Sequence, residues 1–221
     1  VDDEEHLKKM ISWFDDPKLG GIAESFPIEY SKELKNKSFI FNLVAWSHYF
    51  WFEFQKERFT EKENGVVYID ENKKNFLFLT NIYRKSLHKT NITLGDDFER
   101  TFDILNNGFK IRIPETPDYP RMITLYENLL LKDVWKQKIR TATARKQLRE
   151  KYGFKITTND FYLPFLIYLL KNLRKTKSLK ASLAVLTWIL LMGISVVIPK
   201  KTQDTKEGWL LRAKRVDLAG K

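Results

Sequence analysis

The chain has 221 residues, 43% hydrophobic and 14% aromatic, which is enough apolar material for one large or two small cores. Lys and Arg number 39 against 28 Asp and Glu, a net charge of +11 that favours an anionic partner without naming it. There is no cysteine, which excludes disulfides, cysteine-based zinc sites and a thiol nucleophile, and accords with an expected cytoplasmic location.

The first residues, Val1 to Glu5, hold no apolar signal region and no initiating Met, so an excised fragment or a tag scar is expected there. From Asp2 to Trp13, the spacing of Leu7, Met10, Ile11 and Phe14 predicts a short amphipathic helix. Asp15, Asp16, Pro17, Gly20 and Gly21 are expected to stop it. Phe39 to Phe54 is apolar on nearly every side, as a fully buried helix is, and Gln55 to Arg58 marks its exit to solvent. Its aromatic density also suits base stacking, but no Arg or Lys is interleaved, which favours core. Gly65 to Asp70, Glu71 to Asn75 and Phe76 to Leu79 read as strand, polar turn and strand.

Phe98, Phe102 and Leu105 share one helical face, Asp96 or Asp97 can cap it, and Gly108 supplies the left-handed residue that ends it. Phe109, Ile111 and Ile113 then alternate with Lys110 and Arg112, the period of a half-buried strand. Met122 to Tyr126 is expected to return as its hairpin partner after a loop from Glu115 to Pro120. From Lys132 to Tyr152 helix formers dominate, cations are in excess, and Gly153 offers a stop.

The stretch that begins at Ile82 and Tyr83 resembles one 85 residues later that begins at Ile167 and Tyr168. Each runs through a basic turn, a helix, Ile-Leu-x-x-Gly and an apolar run closed by Pro, at Pro114 and at Pro199. The second copy predicts a strand over Ile194 to Ile198, a polar loop from Lys200 to Gly208, and a return strand from Trp209 to Arg215. A helix followed by a basic-tipped hairpin is the outline of a winged helix. The expected fold class is therefore α+β, mainly helical with short hairpins, in tandem winged-helix-like units. Residues 1–131 would form an N-terminal lobe holding the first unit, residues 132–155 a basic connecting helix, and residues 156–221 the second unit.

Ala181 to Pro199 carries no charge and is long enough to cross a bilayer. The first copy has Arg100, Asp103, Lys110 and Arg112 at matching positions, so a membrane partner is not expected. His6, His48 and His88 have neither metal nor triad spacing, and no phosphate loop appears; no cofactor is expected. Asp70, Glu71 and Lys73 are the nearest set to a metal-dependent nuclease site, where acids would hold the cation and Lys would steady phosphate charge.

Gly65 to Thr80, together with Ile167 to Leu179, resembles the tandem winged-helix recognition regions of type IIS restriction and nicking enzymes. That resemblance implies a DNA-reading fragment or subunit whose catalytic domain lies elsewhere. The leading expectation is a duplex DNA-binding module. Lys177, Ser178 and Lys180 would reach the groove, and Arg140, Arg145, Lys146, Arg149, Lys200, Lys201, Lys206, Arg212, Lys214 and Arg215 would hold phosphates. The alternatives are an assembly subunit whose basic surface meets acidic protein, and the nuclease.

Overall fold

The computed structural model describes residues 4–23, 38–70, 80–88, 96–114, 130–153 and 161–197. The architecture is α+β, mostly helical, with one small mixed sheet. In chain order it consists of α1 (Glu4–Ser12), β1 (Leu19–Ala23), α2 (Phe39–Phe59), β2 (Thr60–Glu63), β3 (Val66–Ile69), β4 (Thr80–Tyr83), α3 (Asp96–Asn106), β5 (Lys110–Ile113), α4 (Leu131–Tyr152), α5 (Leu163–Asn172) and α6 (Leu179–Val197).

The sheet has the order β2-β3-β5-β1-β4. β1 runs parallel to β5 and antiparallel to β4, while β3 pairs antiparallel with both β2 and β5. Gly20 and Gly21, which look like helix stoppers in the sequence, lie in β1, all of whose residues are buried. Their lack of a side chain is what admits α3: a Cβ on Gly20 would lie 2.5 Å from the Phe109 Cβ, and one on Gly21 2.9 Å from the Ile104 Cδ1. The Arg84 side chain secures the turn into β1 by donating to the carbonyls of Phe14, Asp16 and Leu19 at 2.6 to 2.7 Å.

The hairpin in this region is not the expected one. Val66–Ile69 is a strand, but its partner is the preceding Thr60–Glu63, and the chain reverses at Asn64 and Gly65, both at positive φ (48° and 83°). An Asn-Gly pair between strands is the usual signature of a two-residue turn, because both central residues must take that backbone. The sequence therefore carries the signal, one turn earlier than the polar stretch from Glu71 suggests. Residues 71–79 lie outside the described residues.

The helix-glycine-strand unit from Asp96 to Ile113 forms as expected, with Gly108 at φ 79° and Ile111 and Ile113 buried on alternate positions. It is not the start of a wing. β5 has β3 on one side and β1 on the other, with Arg112 opposite both Tyr68 and Ile22, so both edges of β5 are taken. Residues 122–126 lie outside the described residues.

The repeat does not survive folding. Ile82 and Tyr83 lie in β4, whereas Ile167 and Tyr168 lie in α5. Gly108 ends its helix, whereas Gly193 is internal to α6, which continues through Ser195, Val196 and Val197 where a strand was expected. The β-branched tail of α6 stays helical because the helix is set by its inner face: Ala181, Ala184, Val185 and Trp188 are buried, and two alanines let it approach α2 closely. Tertiary packing of this kind overrides weak local propensity. Residues 198–221, which include the expected return strand, lie outside the described residues.

α2 is the hub. It has eleven buried residues, from Asn42 to Phe59, and its aromatics other than Phe39 pack in the core, as their unbroken hydrophobicity suggests. Trp51 touches Phe161 and Phe165 at the start of α5 and Trp188 of α6, with ring centroids 4.8 to 6.0 Å apart. One cluster joins these helices to Val67, Ile69, Ile111 and Ile113 on the inner face of the sheet. The outer face carries a smaller cluster of Met10, Leu19 and Ile22 with Trp13, Phe14, Tyr68 and Ile82 around it.

Candidate functional site

The cation run of α4 suggests a basic row along a duplex. The helix ends on Gly153 at φ 66°, as expected, but its cations divide between two faces. Arg145 points inward: one terminal nitrogen donates to the Tyr162 hydroxyl at 2.6 Å, and the guanidinium lies over the rings of Trp51 and Tyr162. Arg149 and Lys146 are exposed, and Lys146 lies 3.8 Å from Glu150 one turn on. Arg140 is half-buried. Arg145 and Arg149 therefore do not form one outward row. The aromatic wall of α2 and α5 has turned the first of them aside.

Lys138, which no sequence motif marks, lies on the inward face seven residues before Arg145. The residue is half-buried, and its ammonium sits 4.5 Å from the centroid of the Trp188 ring. Burial, and then the charge of Arg145, lower its pKa from 10.5 to about 7. His48 on α2 is half-buried beside Lys138; burial and then the charge of Lys138 bring its pKa down from 6.5 to about 3, so it is neutral. A warning is legible in the sequence: Lys138 is i+3 and i+4 from Trp135 and Val134, on the apolar side of an otherwise basic helix.

The second candidate surface is the hairpin of α5 and α6. Lys177 is exposed at φ 51° in the turn between them, the Ser178 side chain accepts from the Ala181 N–H at 3.4 Å as an N-terminal cap, and Lys180 is exposed in the first turn of α6. Ser178 is thus occupied in holding the helix start. Around these residues lie Lys171, Arg174 and Lys175, also exposed. From 161 to 197 there are these five cations and no Asp or Glu.

Both helices turn their buried faces toward Trp51, which leaves their other faces outward. On α5 these carry Leu163, Ile167 and Leu170; on α6 they carry Leu179, Leu183, Leu186, Leu190 and Ile194, all exposed, with Leu179 at 78%. The spacings are four and three residues on α5, and four, three, four and four on α6, the repeat of a seam made to meet another helix. A residue-by-residue search for charged motifs misses this surface, since each leucine alone reads as core.

Lys200, Lys201, Lys206, Arg212, Lys214 and Arg215 lie outside the described residues, as do Glu71 and Lys73. Asp70 is buried, and its N–H donates to the Phe59 carbonyl at 3.0 Å, closing the β2-β3 hairpin. Among the described residues no group of three or more His, Asp or Glu side chains could hold a metal ion, and no helix is long and apolar enough to cross a membrane. No family model, curated protein or solved structure matches this chain.

Proposed function

We propose that this chain is an assembly module whose α5-α6 hairpin receives an amphipathic helix of a partner protein, apolar along its centre and acidic along its flanks. The observation that carries this reading is two rows of exposed aliphatic side chains at helical-seam spacing, three on α5 and five on α6, in a segment whose five cations gather at the turn and which has no Asp or Glu of its own. Apolar helix faces left open to water mark interaction surfaces, and helix-in-groove recognition uses anchors at this spacing. The cations gathered at the turn argue for an acidic partner rather than a second copy, since two such turns would bring like charges together.

Synthetic amphipathic helices with Leu in the seam and Glu on the flanks, and the same helices with Lys on the flanks, test the proposal by fluorescence anisotropy. The Glu-flanked helix should bind, the Lys-flanked helix should not, and Leu183→Asp with Leu190→Asp should remove binding while leaving the far-ultraviolet spectrum intact. Equal binding of both peptides, or binding that survives the double substitution, overturns it. So does sedimentation as a dimer that the double substitution dissolves, which would give the face to a second copy.

A second reading, duplex DNA, draws on the same cations: Lys175, Lys177 and Lys180 at the hairpin turn, with Lys146 and Arg149 on α4. Phosphate contacts of this kind supply sequence-independent, salt-sensitive affinity. Retention of a random duplex at physiological salt, lost on Lys175→Glu with Lys177→Glu, would favour it. An unchanged gel shift would remove the turn from any DNA interface.

A further inference from the structure

The aliphatic rows of the α5-α6 hairpin run the length of both helices, but its charge does not. All five cations of residues 161–197, Lys171, Arg174, Lys175, Lys177 and Lys180, fall between 171 and 180 at the turn, and from Ala181 to Val197 the sequence has no charged side chain. The two helices run antiparallel from that turn: Phe165, near the start of α5, meets Trp188, midway along α6, with ring centroids 5.9 Å apart. At about 100° per residue, each aliphatic row falls opposite the buried stripe of its own helix. The stripes face Trp51, so both rows point away from α2. On α6 the row from Leu179 to Ile194 spans fifteen residues, about 22 Å, the length of a partner helix of four turns.

A helix laid along these rows brings one of its own ends to the cationic turn, and the two ends are not equivalent there. For α5 the turn is a C-terminal end, where unsatisfied carbonyls favour positive charge, and Lys171 lies in the last turn of the helix with Arg174 and Lys175 just beyond it. For α6 it is the N-terminal end, which already brings positive partial charge of its own and has no acid in its first turn. A partner's N-terminal end would add more of the same sign. Its C-terminal end would instead meet the cations as the end of α5 does. Acids placed elsewhere on the partner would lie along a stretch of α6 that has no charge to meet them. Resting on the assembly reading above, we infer that the partner helix runs antiparallel to α6, with its C-terminal end and its flanking acids gathered over the turn. The rest of it lies along Leu183, Leu186, Leu190 and Ile194 and needs no charge.

The test uses the full chain and two synthetic helices that share one Leu seam and are matched in helicity by circular dichroism. One carries its Glu residues in the last two turns, the other carries the same number in the first two. Fluorescence anisotropy at low salt should show the first binding at least about fivefold more tightly. Lys175→Glu with Lys177→Glu should abolish that preference or reverse it. A nitroxide on the last residue of the peptide should broaden the amide signals of Leu179 and Leu183, and one on the first residue those of Leu190 and Ile194. Equal binding of the two helices, tighter binding of the one with N-terminal Glu, a preference unchanged in the double variant, or nitroxide effects in the opposite order overturns the inference and leaves the assembly reading standing. Binding of neither helix overturns both.

Discussion

The Arg145 guanidinium donates to the Tyr162 hydroxyl at 2.6 Å, and this bond ties the middle of α4 to the turn that leads into α5. A residue whose place in a basic run suggests a phosphate contact is instead a cross-brace in the helical layer. Charge reversal separates the two roles. Arg145→Glu should destabilise the chain by about 3 kcal/mol or more, because it sets an unpaired carboxylate against Trp51 and takes the cation away from the Trp51 and Tyr162 rings. Arg149→Glu, on an exposed position, should stay within about 0.5 kcal/mol. Urea unfolding of the two variants measures the difference, and equal effects would contradict the inward placement of Arg145.

Stability should rise as the solution is made alkaline. Lys138 has its folded pKa lowered from 10.5 to about 7, so between those values the unfolded chain binds a proton that the folded chain has released. Stability therefore increases with pH across that window and is lowest with respect to this group below it. His48, lowered from 6.5 to about 3, acts in the same direction at lower pH. Tyr168 and Tyr152 are pushed upward, chiefly by burial, so above their ordinary 10.0 the unfolded chain loses protons that the folded chain keeps, and stability falls again. Unfolding free energies measured from neutral pH to about pH 11 should pass through a maximum near about pH 10. Lys138→Met should flatten the rising limb above neutrality.

The glycines of β1 and α6 should respond to alanine in opposite directions. Gly20→Ala and Gly21→Ala force a methyl into Phe109, Ile104 and Thr80, and should cost about 1–3 kcal/mol or more, as overpacked cores do. At Gly193 an added Cβ meets nothing within 4 Å, so Gly193→Ala in a helix interior should stabilise by up to about 1 kcal/mol. Thermal denaturation reads both. A destabilised Gly193→Ala would restore the helix end that the sequence suggests there.

Glu99 is a buried carboxylate on α3 that accepts from the Tyr152 hydroxyl at 2.6 Å and from the Lys151 ammonium, both at the end of α4. Glu99→Ala should cost about 1.5–3 kcal/mol, because it removes the charged acceptor of both bonds while Lys151 keeps water and Tyr152 keeps Asp103. Tyr152→Phe, which removes a single hydroxyl, should cost about 1–2 kcal/mol. Hydrogen exchange at the last turn of α4 should quicken in both variants, more in the first.

What the sequence determined by itself is whatever depends on neighbours a few residues away. The amphipathic face of Phe98, Phe102 and Leu105, the left-handed Gly108 behind it and the alternation of Ile111 and Ile113 are local patterns with one good solution, and they form as expected. The Asn64-Gly65 turn belongs with them, legible in the same terms. The long apolar α2 and the stop at Gly153 do too. The tertiary structure decided the rest. Gly193 followed by Ile194 and Ser195 suits a helix end as well as a helix interior, and only the burial of Ala181, Ala184, Val185 and Trp188 against α2 selects the interior. Gly20 and Gly21 look like breakers until α3 needs their missing side chains. Arg145 and Arg149 stand one turn apart on a basic helix, yet which of them meets water is set by Trp51, far earlier in the chain. A charge pattern records how many cations a helix carries, but not which of them the aromatic wall will claim, because that depends on contacts between segments distant in sequence.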